Sequence, residues 1–452
     1  MKKYFMFVVA ALVAMTLGFT SCEKKSGGGG SLDPDKPVVN PDKPSEEQVL
    51  SPEESKEKLM DVAKRMVGKF NTTDQKEAIE LADQVYDKYE KYSWDELENY
   101  FGHRYDALFY MPHYVSGVMK GHMAPTAFDK MYEFSFAGES AIFEADDANK
   151  SWKYVGKSDD NSVIMRCKDN NGYQLEAKCW GEGKTKEYEY TWYDSYDNVN
   201  RTIKVVLPRK VFFTLTHGKK SEIIRVEFEQ DLQKNDHAKF SLLAKVTTLS
   251  WTTDVEINST HGSAAVAFNY GNERLFALAA NLPSYKLIDK QDSQSYEDWL
   301  RQYEDRYDEL LKSIGGGSAA VDIFGEVQGR AKIENGGKLY QDIVKWSDKS
   351  SDSKESADEF CRIINECQTN GIYYNSDVKQ AEVFMQTTSD GYGYYPEPVM
   401  SFPDGTTYAF EAYFVQKPFT DLQKTVEDLV NKYIKLSEYL YGEVMGHEEL
   451  HF

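Results

Sequence analysis

Apolar positions follow three successive periods along this chain. From residue 51 the spacing is helical. Leu59, Val62, Met66 and Phe70 recur every three or four positions, behind Ser51-Pro52-Glu53-Glu54, a capping box with proline at the first helical position. Asp74 with Glu77 opens a second helical stretch carrying Ile79, Ala82, Tyr86 and Tyr89. Ser93 with Glu96 opens a third with Leu97, Phe101, Tyr105 and Leu108. From residue 149 the period falls to two. Val163, Met165 and Cys167 alternate with Ile164 and Arg166, and Ile224, Val226 and Phe228 with Arg225, Glu227 and Glu229. Val266, Phe268 and Tyr270 lead through Gly271-Asn272 to Leu275, Ala277 and Ala279. From residue 284 both periods mix. Trp299, Leu300, Tyr303, Tyr307, Leu310 and Leu311 are helical in spacing, Ile372–Tyr374, Ala381–Thr387 and Tyr408–Val415 read as strands, and Phe419, Leu422, Val426, Leu429, Tyr433, Leu440 and Val444 mark a long last helix.

These periods predict an α+β fold: an N-terminal helical region over 51–148, a central antiparallel sheet or half-barrel over 149–283, and a C-terminal α+β region over 284–452 that ends in a long helix. The central part reads as about eight strands joined by hairpin turns. Its single apolar face needs a cover, which flanking helices can supply. At 452 residues the chain is long enough for two or three cores.

The first residues obey another pattern. Lys2 and Lys3 precede a nearly unbroken apolar run from Phe5 to Leu17, too short for a comfortable span, and small or polar Thr20-Ser21 lead to Cys22. This resembles a bacterial lipoprotein signal peptide, which implies removal of residues 1–21 and lipidation of Cys22. Several acyl chains at about 0.8 kcal/mol per buried CH₂ would hold such a protein on a membrane. Residues 22–50 then read as a lipidated cysteine and disordered tether: Gly27–Gly30 is flexible, Pro34, Pro37, Pro41 and Pro44 stiffen the remainder, and apolar residues are scarce.

Residues 203–232, IKVVLPRKVFFTLTHGKKSEIIRVEFEQDL, carry a Leu-Pro, an alternating strand, a Gly-centred turn, a second strand and an Asp-Leu. This stretch is similar to a group of uncharacterised lipoproteins of Bacteroides-type bacteria. The resemblance implies an envelope protein and no particular activity.

Composition narrows the function. A net charge of −21 repels nucleic acid and anionic headgroups, and no basic patch with interleaved aromatics is present. Of five cysteines, four come after Cys22. Cys361 and Cys367 lie six apart in a helical stretch, about 9 Å at 1.5 Å per residue, too far for a disulfide. Cys167 and Cys179 flank Asn171-Gly172, where a two-residue turn would set Cys167 opposite Glu176. Four unbridged thiols are expected.

The chemical motifs are few. His447-Glu448-Glu449-Leu450-His451 matches the H-E-x-x-H of zinc peptidases, in which His447 and His451 would share a helix face as ligands and Glu448 would activate water. The competing expectation is a helix end whose histidines meet the macrodipole. His103, His113 and His122 have no ligand spacing, and Asp146-Asp147, Asp159-Asp160 and Asp194…Asp197 lack that of a calcium loop. Phosphate-binding, dinucleotide and nucleophile-elbow motifs are missing. Tyr392, Tyr394 and Tyr395 fall in a glycine-interrupted loop, where rings could stack on a glycan or anchor a partner; the competing expectation is that they cover the C-terminal sheet.

The sequence therefore predicts a lipid-anchored cell-envelope protein, placed at the outer membrane with its facing left open. Its expected role is non-enzymatic binding of a glycan, lipid or protein partner, with no cofactor and no nucleic acid. The alternatives are a zinc metallohydrolase using His447 and His451, and a scaffold subunit of an envelope complex.

Overall fold

The computed structural model describes residues 32, 39–70, 73–93, 95, 140–183, 187–194, 199–206, 209–233, 237–258, 261–284, 312–347, 353–422 and 424–425. The proposed signal peptide with Cys22, the helical pattern over 97–108, the three histidines at 103, 113 and 122, the pattern over 299–311, most of the last helix, and His447 and His451 lie outside these residues.

The capping signal at Ser51 is realised. Ser51 donates its N–H to Glu54 Oε2 at 2.9 Å, and Glu54 N–H returns to Ser51 Oγ at 3.3 Å. Helix α1 (Pro52–Phe70) comes next, then α2 (Thr73–Lys91).

The strands are β1 (Ala141–Asp146), β2 (Ser151–Gly156), β3 (Ser162–Lys168), β4 (Gln174–Glu182), β5 (Glu187–Asp194), β6 (Val199–Val206), β7 (Lys210–His217), β8 (Lys220–Gln233), β9 (His237–Val246), β10 (Leu249–Asn258), β11 (Gly262–Tyr270), β12 (Glu273–Leu282), β13 (Gly317–Ile323), β14 (Val327–Ile333), β15 (Gln368–Tyr373), β16 (Lys379–Ser389), β17 (Tyr394–Ser401) and β18 (Thr407–Ala409). Helices α3 (Gly336–Ser347) and α4 (Lys354–Cys367) separate β14 from β15, and the short α5 (Phe410–Tyr413) succeeds β18.

The expected α+β architecture with a central sheet of about eight strands is overturned. The protein is mostly β. One 16-stranded mixed sheet runs in the order β18-β17-β16-β15-β14-β13-β12-β11-β10-β9-β8-β7-β4-β3-β1-β2, and β5 and β6 form a separate pair. The sheet is mixed because β1 runs antiparallel to β2 and parallel to β3. The hydropathy pattern places the end of the sheet at residue 283, where its period changes. Backbone chemistry does not stop there: the free edge of β12 carries unpaired N–H and C=O groups, and β13 satisfies them in register, Leu278 opposite Val321 and Ala280 opposite Ala319. Strands expected in a separate C-terminal region therefore extend the same ladder. At the other end, β1 lies inside the stretch expected to be helical.

Two further expectations change. Tyr408–Val415 is not one strand but β18 and then α5. The Asn171-Gly172 turn has three residues, not two. Asp169 N–H donates to Tyr173 O at 2.8 Å, and Gly172 takes the left-handed φ of 86° that a three-residue hairpin loop needs. Cys167 accordingly faces Leu175, not Glu176. Cys167, Cys179, Cys361 and Cys367 are all free.

Two units are distinguished, one holding the described residues of Met1–Phe70, Lys234–Lys239 and Thr252–Thr425, the other those of Asn71–Gln233 and Phe240–Trp251. In the second, α2 lays Ala78, Leu81 and Ala82 on a core of Phe143, Trp152, Leu175, Leu215, Ile224 and Val226. In the first, α4 starts at the N-cap Ser353 and buries Phe360, Cys361, Ile364 and Cys367 against Ile333, Leu339 and Met385. Each large apolar side chain so buried contributes about 1.5–3 kcal/mol.

Of the stretch expected as a tether, residues 39–50 instead form a strap seated on the first unit by hydrogen bonds. Upstream of it, Leu32 is only 6 % exposed, pegged against Ala277, Ala279 and Ala320.

Candidate functional site

The strap lies in a cradle built by the link between β15 and β16, residues Tyr374–Val378, and by the start of β16. Asn375 is fully buried and takes a left-handed φ of 49°, which an asparagine tolerates better than most residues. Its amide mimics a peptide unit. Oδ1 accepts the Asn40 N–H at 2.6 Å, while Nδ2 donates to the carbonyls of Asn40 at 2.9 Å, Lys43 at 2.9 Å and Pro44 at 3.1 Å. Gln380, also fully buried, repeats the device: Oε1 accepts Leu50 N–H at 2.9 Å and Nε2 donates to Gln48 O at 3.0 Å. Between them, Glu46 N–H donates to Tyr374 O at 3.1 Å and Ser376 Oγ donates to Glu46 O at 2.7 Å. The Tyr374 ring is fixed beneath by its hydroxyl contact with Ser55 Oγ on α1. The bonds from Asn375, Ser376, Tyr374 and Gln380 all read the strap's backbone. Asn375 grips a turn that Lys43 N–H closes on Asn40 O at 3.1 Å, and the Glu46 side chain is held separately by Lys58 at 2.8 Å.

Lys43 supplies the ionic part. Its Nζ lies 2.8 Å from Glu273 and 3.6 Å from Glu326, and Lys69 of α1 reaches Glu273 at 2.9 Å. Glu326 sits in the β13–β14 turn beside Phe324, a buried residue with φ of 61° whose ring lies 4.2 Å from Lys43 Nζ and 4.8 Å from Arg65 Cζ. Such a backbone costs about 1–3 kcal/mol and persists where the surroundings over-determine it, here by two cations on one ring. Burial raises the carboxyls of Glu273 and Glu326. The bonds from Lys43 and Lys69 to Glu273, and from Arg65 to Glu326, outweigh it and hold both below the usual carboxylate range. Nearby Asp322 goes the other way: it is 1 % exposed, and burial outweighs Arg274 at 3.5 Å.

A second buried polar site lies in the other unit. His217 Nε2 is 3.0 Å from Asp169 Oδ2, and Asp169 Oδ1 accepts the N–H groups of Asn171 and Tyr173 at 2.9 and 2.7 Å. Both side chains are nearly inaccessible. The pair ties the β3–β4 loop to the end of β7. Among the described residues, no group of three His, Cys, Asp or Glu is placed to hold a metal ion.

The tyrosines expected in one loop are divided. Tyr392, 96 % exposed, stands on the β16–β17 turn, where Asp390 Oδ1 accepts the N–H groups of Tyr392 at 2.9 Å and Gly393 at 3.1 Å. Tyr394 and Tyr395 are half-buried in β17, paired with Ser389 and Thr388. As neighbours in a strand they point to opposite faces, so the three do not form one surface. Sequence reasoning also missed the stacked pair Trp180 and Phe212, 4.9 Å between centroids, with Lys178 over Trp180. The cross-strand spacing of these aromatics on β4 and β7 was the available signal. For the cradle, hydropathy held none, because backbone recognition leaves no apolar pattern. No protein family, curated protein or solved structure matches this chain.

Proposed function

We propose that this is a lipid-anchored cell-envelope protein whose body binds a glycan, lipid or protein partner without catalysing a reaction on it. The observation that carries the reading is the ordered series of positive residues, short apolar run, small residues and Cys22 at the N-terminus. No helix among the described residues is long and apolar enough to cross a membrane, so attachment through Cys22 supplies what the described helices do not. Tyr392 supports the binding part. A fully solvated ring on a turn held by Asp390 gains little from folding, and an aromatic so placed is available to a partner.

Mass spectrometry of the mature N-terminus from the native host tests the anchor. An acylated Cys22, and transfer of Cys22→Ala from the membrane to the aqueous fraction, is the expected result. A free, unacylated N-terminus overturns it. For the binding role, Tyr392→Ala leaves stability within about 0.5 kcal/mol, as an exposed turn substitution should. It lowers the recovery of whatever crosslinks to the wild-type protein in intact cells.

A further inference from the structure

The strap has the makings of a releasable latch. It is fastened almost wholly by polar contacts: two buried primary amides, one serine hydroxyl, one backbone carbonyl, the Lys43 ion pairs and the Lys58–Glu46 pair. Of its own apolar side chains, Val39 and Val49 are 54 % and 49 % exposed and contribute little, while Leu50 is half-buried. Hydrogen bonds of this kind add about 0.5–1.5 kcal/mol each after exchange with water. The cradle residues, by contrast, belong to the sheet: Tyr374, Asn375 and Gln380 are fully buried and flank the ladder of β15 on β14 and β16. A segment with few buried apolar contacts opens at a lower free energy than the sheet beneath it. Strap and sheet should therefore separate as distinct steps.

We propose that residues 39–50, with the Leu32 peg, are a latch that holds the body close to its anchored end and lets it out when the latch opens. The consequence for reach rests on the reading that Cys22 is the anchored residue. With Leu32 and the strap seated, only the residues between Cys22 and Leu32 span from the lipid to the body. Freeing Leu32 to Leu50 adds about 65 Å of contour at roughly 3.3–3.6 Å per residue. The cradle left behind displays two backbone-mimicking amides, and its occupant in this protein is the chain's own strap.

The test is hydrogen–deuterium exchange by mass spectrometry on the full mature chain as purified from the native host and reconstituted in neutral phosphatidylcholine vesicles. In the wild type, strap peptides exchange more slowly than an unstructured segment and faster than β15 and β16 peptides. Asn375→Ala speeds strap exchange by roughly tenfold, the loss of about 1.4 kcal/mol, with β15 and β16 unchanged. Should Asn375→Ala disturb the sheet, Lys43→Ala acts from the strap side, where it cannot strain β16, and gives the same separation. Strap exchange at the unstructured rate in the wild type overturns the latch. So does a strap that exchanges only together with β15 and β16 in the wild type and in Lys43→Ala. The same spectra report the mass of the N-terminal peptide. An unacylated Cys22 with a protected strap sinks the envelope reading alone, while an acylated Cys22 with an unprotected strap sinks the latch alone.

Discussion

Arg65 holds Glu326 with both terminal nitrogens, Nη1 to Oε1 at 2.8 Å and Nη2 to Oε2 at 2.7 Å. Glu326 is 4 % exposed, and a second cation paired with it, Lys43, belongs to the strap. One buried carboxylate thus serves helix α1 and the strap together. Two parallel bonds from a planar guanidinium to a carboxylate fix orientation as well as charge. Arg65→Ala leaves the carboxylate buried with only the longer Lys43 contact, and should cost about 2 kcal/mol in urea unfolding. Arg65→Lys should recover less than half of it, because an ammonium cannot reproduce the fork.

Acid should loosen this corner. Glu273 and Glu326 both have carboxyls lowered from 4.5 in the folded protein. A depressed folded value means the stabilisation is complete above the unfolded value of 4.5 and is lost as pH falls through the folded values. Strap exchange should therefore be flat from neutral pH down to that value, once corrected for the intrinsic rate, and accelerate below it. A Glu273→Gln, Glu326→Gln double variant should be fast throughout and insensitive to pH across that window.

Asp169 is a pin whose loss is severe. It accepts two loop N–H groups and the His217 ring, and although burial raises its carboxyl, these partners bring the net shift below the usual range. Asp169→Ala strips three partners at once in a nearly inaccessible site and should cost about 3 kcal/mol. Asp169→Asn keeps an acceptor for the loop and should cost less. Urea titrations of the two variants, read by tryptophan fluorescence, check the order.

Thr247 marks a place where the chain can be improved. It has a φ of 53° in the β9–β10 turn, and its Oγ1 is buried without a partner. A β-branched side chain is unfavourable in the left-handed region, and a buried unpaired hydroxyl adds to the cost. Thr247→Gly removes both and should stabilise by about 1 kcal/mol, seen as a rise in Tm.

Thiol chemistry offers an independent check on the cores. Burial pushes Cys167 up to about 11 and raises Cys361, so neither forms thiolate near neutral pH. Labelling with a thiol reagent near neutral pH should leave Cys167, Cys361 and Cys367 unmodified in the native protein and modify them in urea. No disulfide should be found among them.

Local structure was legible where it was written in short-range chemistry. The Ser51 capping box, the helical spacing of Leu59, Val62 and Met66 in α1 and the alternation in β7 and β8 each depend on residues within one or two turns, and each formed as read. What could not be read was long-range. The extent of the sheet depends on which strand takes the free edge of β12, and no local pattern says that residues 317–323 do so. The turn at Asn171-Gly172 misled because Asp169, not the Asn-Gly pair, closes the loop. The strap misled most. Prolines and few apolar residues describe a segment that cannot build a core, but they do not forbid docking against amides such as Asn375 and Gln380, whose backbone-reading role shows only in three dimensions.

The bond from Asn40 to Asn375 joins positions 335 apart. A chain delivered amino end first presents its strap long before the cradle has been made, an interval on the order of 20–60 s at ~5–20 residues per second of synthesis. Fastening must therefore wait until the cradle residues 374–380 have been made. Acylation at Cys22, if it precedes that moment, meets a leash still at full length.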